Sequence, residues 1–253
     1  MRKIGLRIAY DGTNYAGWQR QPNVPTVQEE IEKNLAAVTG QSITLHGSGR
    51  TDAGVHAAGQ VAHFSTTVRM PADKFTQALN VGLPRNIRVL ESWEAPLDFH
   101  ARYSARRKRY RYTIRNAPVA SALTGRYEWH LHSPLDYERM AAAVPHWIGA
   151  HEFSAFTGAG CPIEERVRTM FDSSLRQEGE CLLYEIEGSG FLYNMVRIIV
   201  GTLVDIGYGR IRPESIPALL AGQNRKLTGQ TAPAQGLMLM SVNYGGAERL
   251  RAK

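Results

Sequence analysis

Ile4, Leu6, Ile8 and Tyr10 alternate with Gly5, Arg7 and Ala9, the period of two expected of a strand buried on one face. Asp11-Gly12 closes that run with a turn signal. A loop carrying Trp18 and Gln19 follows, and the period then changes. Val27, Ile31, Leu35 and Val38 fall on one helical face, with Glu29 and Lys33 as an i,i+4 pair outside it. Thr26 and Glu29 make a capping-box pair at its start, and Gly40 supplies the stop. Two short runs, residues 43–46 and 60–64, are rich in β-branched and aromatic residues and read as strands. A helix starting at Pro71 presents Phe75, Ala78 and Leu79, and a strand covers residues 87–90. The first half therefore reads strand, helix, strand, strand, helix, strand.

The second half echoes this order. Strands are expected at 107–116, 167–176, 181–187 and 237–244, with a helix over 136–144. After Gly188-Ser189-Gly190, the residues Leu192, Met195, Val196, Ile199, Val200, Leu203 and Ile206 give the strongest helical period in the chain. Helices mixed with hairpin-like strands predict an α+β protein. Two similar halves suggest a duplicated unit, with the boundary near residues 103–106, so that residues 1–105 and 106–253 form the two parts.

Composition narrows the class. The chain has 253 residues, 43% hydrophobic and 21% charged, enough for a packed core and one or two domains. It holds no apolar run long enough for a membrane span. The basic start at Met1-Arg2-Lys3 leads straight into a strand pattern, and no signal peptide is expected. The two cysteines, Cys161 and Cys181, lack metal-ligand spacing and suit a reducing cytoplasm. A net charge of +7 favours polyanionic partners. Composition alone does not separate RNA from DNA or anionic lipid.

One loop stands out. Gly47-Ser48-Gly49-Arg50-Thr51-Asp52-Ala53-Gly54-Val55-His56 places a single carboxylate, Asp52, among small residues, with a cation, Arg50, two positions before it. Such a loop lets another molecule approach the main chain closely. Asp52 is either a turn cap or a reactive group facing a ligand. A second signal is the cationic stretch 100–115, with Arg102, Arg106, Arg107, Lys108, Arg109, Arg111 and Arg115 interleaved with Tyr103, Tyr110 and Tyr112. On a strand, Tyr110, Tyr112 and Ile114 share one face, and Arg109, Arg111 and Thr113 the other. Tyrosines stack on unpaired bases and guanidiniums suit phosphate oxygens. Core packing for Tyr110 and a solvated face for the cations remain open on spacing alone. The histidines His56, His63, His130, His132 and His151 form no zinc-binding spacing and read as structural or RNA-contact residues.

Taken together, these motifs resemble the tRNA pseudouridine synthase A family across nearly the whole chain. The resemblance is carried by Gly49-Arg50-Thr51-Asp52-Ala53-Gly54-Val55-His56-Ala57, Tyr10-Asp11-Gly12, Gly17-Trp18-Gln19 and Thr26-Val27-Gln28. It continues through Arg109-Tyr110-Arg111-Tyr112, His151-Glu152-Phe153-Ser154-Ala155-Phe156, Phe191-Leu192-Tyr193-Asn194-Met195-Val196-Arg197 and Ala232-Pro233-Ala234-Gln235-Gly236-Leu237. Residues 158–165 match less closely, and the tail from Gly245 matches no motif.

The resemblance implies an isomerase that converts uridine to pseudouridine at positions 38, 39 and 40 of the tRNA anticodon arm, without metal or cofactor. Asp52 is then the catalytic group, Arg197 its paired cation, and Arg50 a positioning or base-flipping residue. Tyr110 packs on the target uracil, and Arg107, Lys108, Arg109 and Arg111 contact the substrate. The implied partners are tRNA and a second copy of the chain, with no membrane. The expected fold is two similar ferredoxin-like or RRM-like subdomains. Each is an antiparallel sheet with helices on one face, and they join into a larger mixed-order sheet with a catalytic cleft. The alternative from another class is an RNA-binding module without catalysis, for which the basic strand and its aromatics suffice.

Overall fold

The computed structural model describes residues 1–246. Its elements in chain order are β1 (Arg2–Tyr10), α1 (Val27–Thr39), β2 (His46–Gly47), β3 (His56–Thr66), α2 (Lys74–Gly82), β4 (Ile87–Ala95), β5 (Arg107–Asn116), β6 (Trp129–Leu131), α3 (Tyr137–Ala143), β7 (Gly149–Glu152), β8 (Val167–Glu178), β9 (Cys181–Gly188), α4 (Met195–Gly207), α5 (Ile216–Gly222) and β10 (Leu237–Asn243). The described chain is α+β with strands in mixed order, as the periodicity predicts. Among the described residues, no helix is long and apolar enough to cross a membrane. The tail segment 247–253, which matches no family motif, lies outside the described residues. The chain divides into two units, one of residues 1–108 with the C-terminal segment from Met238, the other of residues 109–237.

In the first unit the strand order is β4-β1-β3-β10, with β2 added on β3. β1 runs antiparallel to both neighbours, pairing Leu6 with Ala62 on β3 and Gly5 with Trp93 on β4. β10 lies parallel to β3, with Met238 opposite His56 and Leu239 opposite Ala57. Ile4, Leu6, Ile8, Ile31, Leu35, Phe64, Phe75 and Leu79 are all fully buried. Each such side chain contributes about 1.5–3 kcal/mol through loss of apolar surface to water. The caps of α1 form as expected: Glu29 N donates to the Thr26 hydroxyl, and Gly40 adopts the left-handed conformation at φ 68°. Residues 43–46 differ from expectation. Ile43 and Leu45 are buried between exposed Thr44 and His46, the alternation of a strand, yet only residues 46–47 join the sheet. The reason is competition from α1. Leu45 N donates to Glu32 Oε1 at 2.9 Å, and Gln28 Nε2 donates to Leu45 O at 2.9 Å, so helix side chains replace ladder partners. The helix expected from Pro71 begins at Lys74, because residues 71–73 form a turn in which Lys74 N donates to Pro71 O.

In the second unit the order is β5-β9-β8-β7, with β6 parallel to the end of β5. β8 and β9 form a long antiparallel hairpin, and β7 pairs antiparallel to β8. Tyr112, Trp147, Phe153, Phe156, Tyr184 and Ile199 are fully buried around α4, itself buried on nearly every side. Leu192, expected inside that helix, instead lies in the turn that starts it, where its carbonyl accepts from Met195 N.

Candidate active site

The connection between β2 and β3 is held by main-chain bonds. Val55 N donates to Asp52 O at 3.1 Å, closing a turn over residues 52–55. Gly54 occupies its third position at φ +78°, the sign that a type II turn requires there. Trp18 N donates to Thr51 O at 3.0 Å, and Gly54 N donates to Tyr15 O at 3.3 Å, so the segment after β1 braces the loop from outside. The hydroxyls of Tyr10 and Thr51 lie 2.8 Å apart in the interior, and burial pushes the Tyr10 phenol well above its ordinary pKa. The Asp52 backbone is therefore fixed while its side chain stays partly exposed.

Behind the turn, His56 is buried at the start of β3. Its Nδ1 accepts from Gly12 N at 3.1 Å and lies 3.2 Å from Asp11 Oδ1. On the β2 side, Ser48 donates to Gln60 Oε1 at 2.6 Å, Gln60 Nε2 donates to Gly49 O, and Lys108 Nζ donates to Ser48 O at 2.7 Å. Of the residues singled out from sequence, Asp52 and Lys108 thus belong to one neighbourhood: Lys108 supports the loop's entry. Arg50 and Arg107 are exposed.

In the second unit, β5 shows the alternation read from sequence. Tyr110, Tyr112 and Ile114 are buried, while Arg109, Arg111 and Thr113 lie on the more open face. On that face the guanidiniums meet carboxylates of β8 and β9. Arg109 Nη1 lies 3.2 Å from both Glu185 and Asp172, and its Nε donates to Glu187. Arg111 Nε donates to Glu185 at 2.7 Å. Burial raises the Glu185 pKa, but the hydrogen bonds and charge of Arg111 and Arg109 outweigh it and hold the carboxyl below its usual range. The positive charge of Arg109 and Arg111 is thus largely balanced within the unit. Their partners stand more than 60 residues away in sequence, which is why the cationic stretch gives no hint of them.

Tyr110 meets Phe191 edge to face, with ring centroids 5.0 Å apart. Arg197, near the start of α4, is held by its side chain and its main chain together. Its Nε donates to Ala232 O at 2.7 Å, its Nη1 donates to Asn194 Oδ1 at 2.9 Å, and its own carbonyl accepts from Ala232 N. Residues 229–233 are pressed against the helix. Gly229 N donates to the Thr202 hydroxyl, and a Cβ at Gly201 would stand 1.8 Å from Gln230 O, so only glycine admits this approach. Tyr112 completes the support by donating to Pro233 O at 2.8 Å. Sequence reasoning picked out Arg197 but not its supports, Asn194 and the Ala232 main chain. The signal was available in the 232–237 motif, which has too little chemistry of its own to suggest a role.

The chain matches the family model described as tRNA pseudouridine synthase over residues 7–104 and 143–245. It is 50% identical to a tRNA pseudouridine synthase A of Acetivibrio thermocellus over 96% of this chain and 100% of that protein. Proteins of the same name from Geotalea uraniireducens and Moorella thermoacetica are 49% and 50% identical, covering 96% and 95% of this chain and 100% and 99% of theirs.

Proposed function

This chain belongs to the tRNA pseudouridine synthase family, and from that premise we propose that it acts at positions 38, 39 and 40 of the tRNA anticodon arm, with Asp52 as its catalytic group. It is an isomerase acting on uridine in tRNA. The reaction breaks the C1′–N1 bond, turns the detached uracil and joins C5 to C1′; C5 loses its proton and N1 takes one up. One bond is exchanged for another of similar strength, so no external energy source is needed. A single carboxylate serves this chemistry as a nucleophile toward sugar or base, or as a base toward a sugar proton. It also stabilises positive charge that develops on the ribose. The target nucleotide leaves its stack first, because its glycosidic carbon is out of reach inside a helix.

The observation that carries this reading is the Asp52 turn: a carboxylate at the surface of a loop whose main chain is held by Trp18, Tyr15 and Val55. A group so mounted meets substrate without the loop having to reorganise. Arg50 takes a positioning role next to it, Tyr110 packs on the extruded uracil, and Arg197 acts as the cation paired with the carboxylate. The active species is a homodimer in the cytoplasm, which size-exclusion chromatography with light scattering tests for the first part. The decisive experiment is tritium release from tRNA labelled at C5 of uridine. Asp52→Asn is expected to release none while folding and binding tRNA normally. Continued release from that variant overturns the assignment. Tyr110→Phe is expected to keep activity and Tyr110→Ala to lose it, since only the second removes the stacking ring.

A further inference from the structure

The first unit carries a ring cluster that the loop chemistry leaves unused. His46 on β2 stacks on His63 of β3, its cross-strand partner, at 5.1 Å between centroids. His100 stands edge-on to His63 at 4.7 Å and lies 4.4 Å from Tyr103. The guanidinium of Arg102 sits over the Tyr103 ring at 5.8 Å, within cation–π range. The members divide by exposure. His63 is buried, and its Nδ1 accepts from Ala101 N at 3.1 Å, so it anchors the 99–104 turn to β3. Tyr103 is 77% exposed, and His46 and Arg102 are exposed as well. The inner ring supports the fold, whereas the outer rings face solvent.

The electrostatics of the outer group suit an anion. Burial lowers the His100 pKa, and the nearby charges that lower it further belong to His46, Lys3 and Arg102, all basic groups. At neutral pH His100 is an uncharged ring beside cations. The position is also informative. His46 lies two residues before Ser48, whose carbonyl Lys108 holds at the entry to the Asp52 loop. At the rise of an extended chain this is about 7 Å. Asp52 stands four residues beyond Ser48, so RNA seated there spans at most about 20 Å along the chain to reach His46.

We propose that His46, His100, Arg102 and Tyr103 form a second RNA contact in the first unit, separate from the Asp52 turn, in which the exposed rings stack on an unpaired base and Arg102 holds the adjoining phosphate. This rests on tRNA being the substrate. Stacking on a solvent-facing tyrosine is the means by which single-stranded RNA is held without sequence readout.

The test is the affinity of the full-length chain for an unmodified tRNA transcript, followed by fluorescence anisotropy over a series of salt concentrations. Tyr103→Ala is expected to weaken binding about fivefold or more, as loss of a base–aromatic stack does. Tyr103→Phe is expected to bind as wild type. Arg102→Gln is expected to lower the slope of log affinity against log salt by about one, the signature of a single lost phosphate contact. Wild-type affinity in Tyr103→Ala, or an unchanged slope in Arg102→Gln, overturns the proposal. So does a marked fall in the melting temperature of Tyr103→Ala, which assigns the ring to packing. Failure of the catalytic reading is distinguishable, because it shows in Asp52→Asn turnover and not in these binding curves.

Discussion

The Asp52 loop and the charged face of β5, β8 and β9 are built in opposite ways. In the loop, the main chain is held by other main-chain groups at Trp18, Tyr15 and Val55, and the residue carrying the carboxylate is partly exposed. On the sheet face, the side chains hold each other: Glu185, nine-tenths buried, takes both Arg109 and Arg111, with Glu187 and Asp172 alongside. The loop carboxylate has its backbone fixed by main-chain groups of other segments. Charges that satisfy one another are part of the architecture. The lesson is that a cationic run in sequence does not by itself mean a cationic surface. Whether it does is decided by which carboxylates the neighbouring strands place opposite it.

Substitutions in each region test the contrast directly. The largest effect is expected from Asp52→Asn, with tritium release falling below detection. Its melting temperature should move by no more than a degree or two, and a large thermal loss would erase the distinction between the two regions. Glu185→Gln is the converse. Breaking a buried pair costs about 3–5 kcal/mol, and because its guanidinium partners are about one-third exposed about 2–3 kcal/mol is expected after solvent screening. For a chain of this size that lowers the melting temperature by about 5–10 °C, without abolishing turnover of bound tRNA.

Acid titration separates the two units further. Burial, reinforced by His100, His46 and Lys3, lowers the His63 pKa from 6.5 to about 3. In between, the unfolded chain binds a proton that the native state refuses. Stability is therefore complete above pH 6.5 and falls as pH drops toward 3, by at most about 1.4 kcal/mol per pH unit. His63→Gln should flatten that part of the curve. The Glu185 carboxyl, held below its ordinary 4.5, contributes stability present above pH 4.5 and lost below it. Glu185→Gln should flatten only that lower limb. The smallest effect belongs to Arg176→Gln. Arg176 reaches Glu185 from the exposed rim, and such pairs are screened by water, so no measurable change in melting temperature is expected. A clear fall would show that the rim shares the load with Arg109 and Arg111.

Much of this architecture was legible because it is local. The Thr26 cap, the Gly40 stop and the two faces of β5 follow from residues within one element. The turn at Asp52 was readable from its glycines for the same reason. What was not legible depends on distant neighbours. Residues 43–46 have the right alternation for a strand, but Glu32 and Gln28 take the backbone groups of Leu45 first. Short elements such as β6, β7 and α5 carry too few residues to show a period. The supports of Arg197 and the carboxylates opposite Arg109 and Arg111 come from segments that only the fold brings near.

The parallel pairing of β10 with β3 has a consequence for how the molecule is made. The strand beside His56 and Ala57, directly after the Asp52 turn, begins its pairing at Met238. A ribosome releases the chain from its N-terminus, so the first unit waits, missing one strand, while the whole of the second is synthesised. A product ending before Met238, however well its amino-terminal helix and hairpins form, lacks the strand that borders its Asp52 loop. The pairing beside the Asp52 turn forms only once Met238 and the residues after it have been added.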